Sequence, residues 1–168
     1  MRASTTWALG VMAMMAAHVS AQSAPTLAVR LYNTSGISAA ELRSARTTAE
    51  SILGDAGFEV TFRHCGGAVM PQQPLDRCDE PLKQAEIVVR IINAPAFNAS
   101  LRADAYGVAY IVRETNRGWL ATLFSDRIDG AAARVSIDSG TLLGRVMAHE
   151  IGHLLLGVDY HSEAGLMT

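Results

Sequence analysis

The stretch His149-Glu150-Ile151-Gly152-His153 constrains this chain more than any other, set between Val146-Met147-Ala148 and Leu154-Leu155-Leu156. Two histidines four residues apart lie on one face of an α-helix, one turn above the other, so both imidazoles can reach a single metal ion from one rigid element. Glu150 follows the first histidine and would project beside that ion, a position suited to a general base acting on a zinc-activated water. The helix is expected on its own evidence. Leu142, Leu143, Val146, Met147, Ile151, Leu154 and Leu155 recur at helical spacing from about Thr141 to Leu156. Asp138 or Ser139 can cap its start, and Gly157 is placed to end it. The rest of the chain reads as scaffold for this helix.

The N-terminus carries Arg2, an apolar stretch from Trp7 to Val19, and then Val19-Ser20-Ala21 with small residues where a signal peptidase reads. This pattern predicts a secretory signal peptide over residues 1–21, cut after Ala21, since the apolar stretch is short for a membrane span and contains His18. Cleavage leaves 147 of the 168 residues, enough for one domain with a real core and too few for two. The remaining chain has 13 basic against 16 acidic side chains and no basic cluster, which argues against nucleic acid or an anionic membrane surface as partner. Export places Cys65 and Cys78 in an oxidising compartment, periplasmic or extracellular, so a disulfide closing the loop between them is the expected state. The other reading is a free Cys65 thiolate that masks the metal. His64, beside Cys65, reads as an exposed loop histidine.

Thr26 to Tyr32 alternates Leu27, Val29 and Leu31 with Ala28 and Arg30, the pattern of a strand. Ser38 with Glu41 three residues on is a capping-box signature, and Leu42, Ala45, Ala49, Ile52 and Leu53 form a helical stripe that Gly54 and Gly57 should stop. Phe58, Val60 and Phe62 then alternate with polar residues, and a strand-helix-strand order favours parallel pairing. Ala85 to Ile92 is a β-branched run with the near-continuous apolarity of a central strand. Tyr106 to Val112 pairs with Trp119 to Phe124 as a hairpin across Arg113 to Gly118. Residues 128–136 carry conflicting signals, Ala131-Ala132-Ala133 for helix and Arg134-Val135-Ser136-Ile137 for extended chain. The expected class is α+β: a mixed twisted sheet with one backing helix and one active-site helix.

Beyond the helix the chain reads Gly157-Val158-Asp159-Tyr160-His161-Ser162 and then Gly165-Leu166-Met167. From His149 to Met167 it resembles the zincin metallopeptidases, and within them the metzincins, whose pattern is H-E-x-x-H-x-x-G-x-x-H followed by a Met-turn. The string His-Glu-Ile-Gly-His-Leu-Leu-Leu-Gly, with His-Ser and Gly-Leu-Met after it, is also similar to a set of secreted bacterial proteins. The resemblance implies a zincin-like domain over residues 22–168 holding one Zn2+ per chain. His149, His153 and His161 would be ligands, Glu150 the general base, Gly157 the turn glycine and Met167 the Met-turn residue.

This chain departs from the pattern in two places. Gly157 lies one residue late and His161 two, and at the family's own spacing the third position is Asp159. Imidazole is the common neutral ligand, and a turn with an extra residue on each side of its glycine can still fold back, which favours His161. The chain also stops one residue after Met167, where zincins place a further segment, so it is either a minimal domain or one cut at the C-terminus.

The resemblance further implies a secreted zinc peptidase, an endopeptidase rather than an exopeptidase, whose peptide or protein substrate adds as a strand to the edge of the hairpin. Tyr160 is either an oxyanion helper, as a tyrosine is in some metzincins, or a surface residue of the turn. The alternative function is a non-catalytic secreted protein that binds zinc or peptide on the same scaffold.

Overall fold

The computed structural model describes residues 24–66, 78–95 and 104–161; the signal-peptide stretch, Gly165 and Met167 lie outside the described residues. Along the chain come β1 (Thr26–Asn33), α1 (Ala39–Asp55), β2 (Glu59–His64), β3 (Glu86–Ile92), β4 (Gly107–Val112), β5 (Arg117–Phe124), α2 (Ser125–Val135) and α3 (Ser139–Leu156). The strands form one mixed sheet in the order β2-β1-β3-β5-β4. β1 pairs in parallel with β2 and β3, β3 in parallel with β5, and the β4–β5 hairpin is antiparallel. β3 is the central strand, as its β-branched run predicts, and among the described residues β2 and β4 are the two edges.

Period-two alternation assigns the two sheet faces. Leu27, Val29 and Leu31 of β1, Ile87, Val89 and Ile91 of β3, and Ala121 and Leu123 of β5 point into one core. Against them pack Leu42, Ala45, Ala49 and Leu53 of α1 and Leu143, Met147, Ile151 and Leu154 of α3. The two helices meet closely through Gly140 and Gly144: a Cβ at Gly144 would stand 2.5 Å from the Ala45 carbonyl oxygen. α1 begins at Ser38, whose side chain accepts from the Glu41 amide, and runs through Gly54 to Asp55 before Gly57 turns the chain at φ 88°.

On the opposite face the charge of Arg30 is almost wholly buried, with 3% of the residue exposed. Its guanidinium donates to the carbonyls of Cys78, Glu80 and Pro81 and pairs with Glu86 at 2.5 Å, binding the segment that follows the cysteine loop to the sheet. The Cys65–Cys78 disulfide anchors the same segment, and neither cysteine is free to mask a metal. His64 corrects the loop reading: it is the last residue of β2, half-buried, with Nε2 3.2 Å from an Arg46 nitrogen. The conflicting stretch before α3 is helical, because Ile128, Ala131 and Ala132 fall on one face and bury there, and Ser136 ends the helix in the left-handed region. No helix among the described residues is long and apolar enough to cross a membrane.

Candidate metal centre

α3 carries the site. Asp138 caps its start by accepting from the Thr141 amide, and Gly157 ends it in the left-handed conformation at φ 66°. That glycine is required twice over. Its positive φ suits a residue without a side chain, and a Cβ there would lie 2.0 Å from the Asn116 carbonyl oxygen at the tip of the β4–β5 hairpin. The chain then turns back over the helix end, and Arg113 of the hairpin fastens the turn through a 2.7 Å pair with Asp159.

The turn delivers His161 to the helix histidines. His149 Nε2 lies 3.2 Å from His153 Nε2 and 3.2 Å from His161 Nε2. Nitrogens that share a tetrahedral zinc at about 2.0 to 2.1 Å are separated by about 3.3 to 3.4 Å, so the observed spacing matches that of co-ligands. The tautomers agree with this. His153 Nδ1 is 2.8 Å from the Val158 carbonyl oxygen, which can only accept, so that nitrogen carries the proton and Nε2 presents its lone pair to the other two rings. Burial holds His153 below the ordinary histidine pKa against the opposing hydrogen bond to Val158, with the neighbouring histidines adding to the lowering, and this keeps the ring in the neutral form a metal needs. One His149 nitrogen facing two others cannot satisfy both with a single proton, whereas one cation satisfies all three, so the donor set fits a metal ion.

Glu150 is buried, with 6% of the residue exposed, and its carboxyl lies against Gly107 of β4. A Cβ at Gly107 would stand 2.8 Å from Glu150 Cγ and Oε1, so the absence of a side chain there makes the room that the carboxyl occupies. Burial pushes the Glu150 pKa up to about 7, against the smaller opposing pull of the Ala109 backbone amide. Both residues belong to the free edge. Phe124 N–H donates to Tyr106 C=O, and the antiparallel alternation then turns the backbone groups of Gly107 and Ala109 away from β5.

A cleft of about 1000 Å³ opens along this edge, lined by β4, the histidine face of α3, and Asp159 and His161 of the turn. The three histidines grade from buried His153 through His149 to exposed His161, so the centre faces solvent on one side. Asp159, the other third-ligand candidate, lines the cleft with its carboxylate on Arg113. Tyr160 is 68% exposed and absent from the lining, while Tyr106 at the head of β4 is part of it. Gly107, Arg113, Tyr106 and Arg145, which also lines the cleft, are residues that the sequence motifs do not single out individually. Of these only Arg145 carried a signal, its position four residues before His149.

The fold is similar to that of metalloproteinase-II from Bacteroides fragilis, with a TM-score of 0.51 at 15% identity over 89% of this chain and 48% of that one. The likeness is one of fold, and the chain spans about half the length of that solved protein. No protein-family model matches, and no curated protein does.

Proposed function

We propose that this protein is a zinc-dependent peptidase in which His149, His153 and His161 hold one Zn2+ and Glu150 is the general base. The observation that supports it most is the convergence of three imidazole Nε2 atoms at co-ligand spacing beside a buried carboxyl. Held by these three histidines, a zinc ion would supply Lewis acidity to a scissile carbonyl and to an attacking water. Glu150, as general base, would take a proton from the attacking water at its carboxylate and release it to the departing amine. Its burial raises the carboxyl's proton affinity, a nearby dication lowers it again, and the balance suits a group that must both accept and release a proton near neutrality. The outward backbone groups of Gly107 and the Ala109 carbonyl receive an extended peptide as an added strand, a backbone pairing that favours endopeptidase action and by itself demands little of the substrate's sequence. The disulfide and the apolar N-terminal stretch support export, with the mature domain beginning at residue 22.

Glu150→Gln is the decisive variant. It should keep its zinc and lose chelator-sensitive peptide hydrolysis by several orders of magnitude, and hydrolysis at the wild-type rate would refute the mechanism. Zinc and peptide binding with no chelator-sensitive cleavage by the wild type would make the protein a binding scaffold instead.

A further inference from the structure

Arg145 stands apart from the other arginines near the site. Arg113 is paired with Asp159, and Arg127 donates to the Ala105 carbonyl. Arg145 is exposed, lines the cleft, and among the described residues carries no hydrogen bond or ion pair. It is also the only lysine or arginine among the described residues that line the cleft. Of the two exposed acids there, Asp159 is spent on Arg113 and Asp104 has a partner of its own.

Helix geometry fixes where this cation works. Arg145 precedes His149 by four residues, so it shares the histidine face one turn toward the N-terminus, about 6 Å along the axis. β4 runs beside α3 in the same sense, with Gly107 against Glu150 and the Ile111 region against Leu154. The Arg145 end of the cleft is therefore the Tyr106 end, where Ile52 and Val146 supply an apolar floor. An extended peptide advances about 3.3 Å per residue, so a group on Arg145 belongs to a residue one or two positions from the bond above the metal. A guanidinium with a free donor fork over an apolar floor matches a carboxylate better than any other peptide group.

We infer that Arg145 is a specificity-determining residue that selects a carboxylate one or two positions from the reacting bond, supplied by an Asp or Glu side chain or by the peptide's own C-terminus. The substrate class is then acidic peptides. This rests on the peptidase reading for its biological sense, but the binding preference can be measured without turnover.

The test uses the zinc-loaded full chain carrying Glu150→Gln, titrated with amidated alanine-based peptides that carry Glu or Gln at successive positions and with the parent peptide bearing a free C-terminus. One Glu peptide should bind at least about tenfold more tightly than its Gln twin, equivalent to about 1.4 kcal/mol. Adding Arg145→Gln should bring that ratio to about one, and Arg145→Glu should turn the preference toward a Lys twin. A gain confined to the free terminus would support the same contact, identify the chain end as its source and make the cleavage carboxypeptidase-like instead of internal. Equal binding of the twins and of both termini, absent binding, or a ratio unmoved by Arg145→Gln overturns the inference. The same peptides given to the chain with Glu150 intact separate the two claims: a binding preference without chelator-sensitive cleavage leaves Arg145 assigned and removes the peptidase.

Discussion

Glu150 holds its place because Gly107 has no side chain, so the smallest substitution at that glycine directly probes the proposed general base. Gly107→Ala places a carbon where the carboxyl now packs. We expect kcat to fall by about 100-fold for a displacement on the order of 1 Å, while zinc stoichiometry stays at the wild-type value. Unchanged kcat would mean that Glu150 tolerates the shift. On the opposite face of the sheet, Arg30 and Glu86 make the residue-scale prediction about stability. Burial pushes the Glu86 carboxyl up, but the Lys83 amide, Arg30 and Arg63 outweigh it and hold the pKa below the usual glutamate value. A lowered folded-state pKa adds stability above the unfolded value of 4.5, and that contribution is lost as pH falls through the folded value. Unfolding followed from pH 6 to pH 3 should show a loss below about pH 4.5 that Glu86→Gln abolishes. The variant itself should cost about 3 to 5 kcal/mol at pH 7, because it leaves the Arg30 charge buried and unmatched. None of this was legible in the sequence, where Arg30 and Glu86 sit at alternating strand positions that ordinarily face water. Their burial depends on a loop segment folding back over the sheet.

At the scale of elements, α3 was readable from end to end: the Asp138 cap, the apolar stripe and the Gly157 stop are all local signals, and each acts as expected. Helix α2 was not, because alanine propensity and a β-branched tail compete within 11 residues, and packing of Ile128 against the core decides between them. The hairpin is legible in the alternating strands, but its part in supporting the turn is not, because Asn116 meets Gly157 and Arg113 meets Asp159 only in three dimensions. Gly157→Ala should therefore destabilise the protein by more than about 1 kcal/mol and weaken zinc binding as the turn is displaced. Arg113→Ala should cost at most about 1 kcal/mol in unfolding free energy, since the pair is exposed. It should nonetheless lower zinc affinity measurably in competition with a chelator. Equal affinity in both variants would show that His161 finds its place without the hairpin.

For the whole molecule, the sheet order puts the outer edge of β4 beside the histidine face of α3, and this juxtaposition forms the cleft. The motif announced the helix, but no local signal announces which strand becomes an edge. Strand order follows from how the parallel pairs and the hairpin share one core. The Cys65–Cys78 bridge ties that framework together beside Arg30, and replacing both cysteines by serine should cost about 3 kcal/mol by the loop-entropy estimate. The central claim, that three imidazoles converge to hold one zinc, is tested most directly by the metal content of the purified chain beside His161→Ala and Asp159→Ala. The geometry predicts one zinc per chain, retained in Asp159→Ala with an affinity lowered no more than in Arg113→Ala, and lost or greatly weakened in His161→Ala. A folded wild type without zinc, or zinc that survives His161→Ala and disappears with Asp159→Ala, would contradict it.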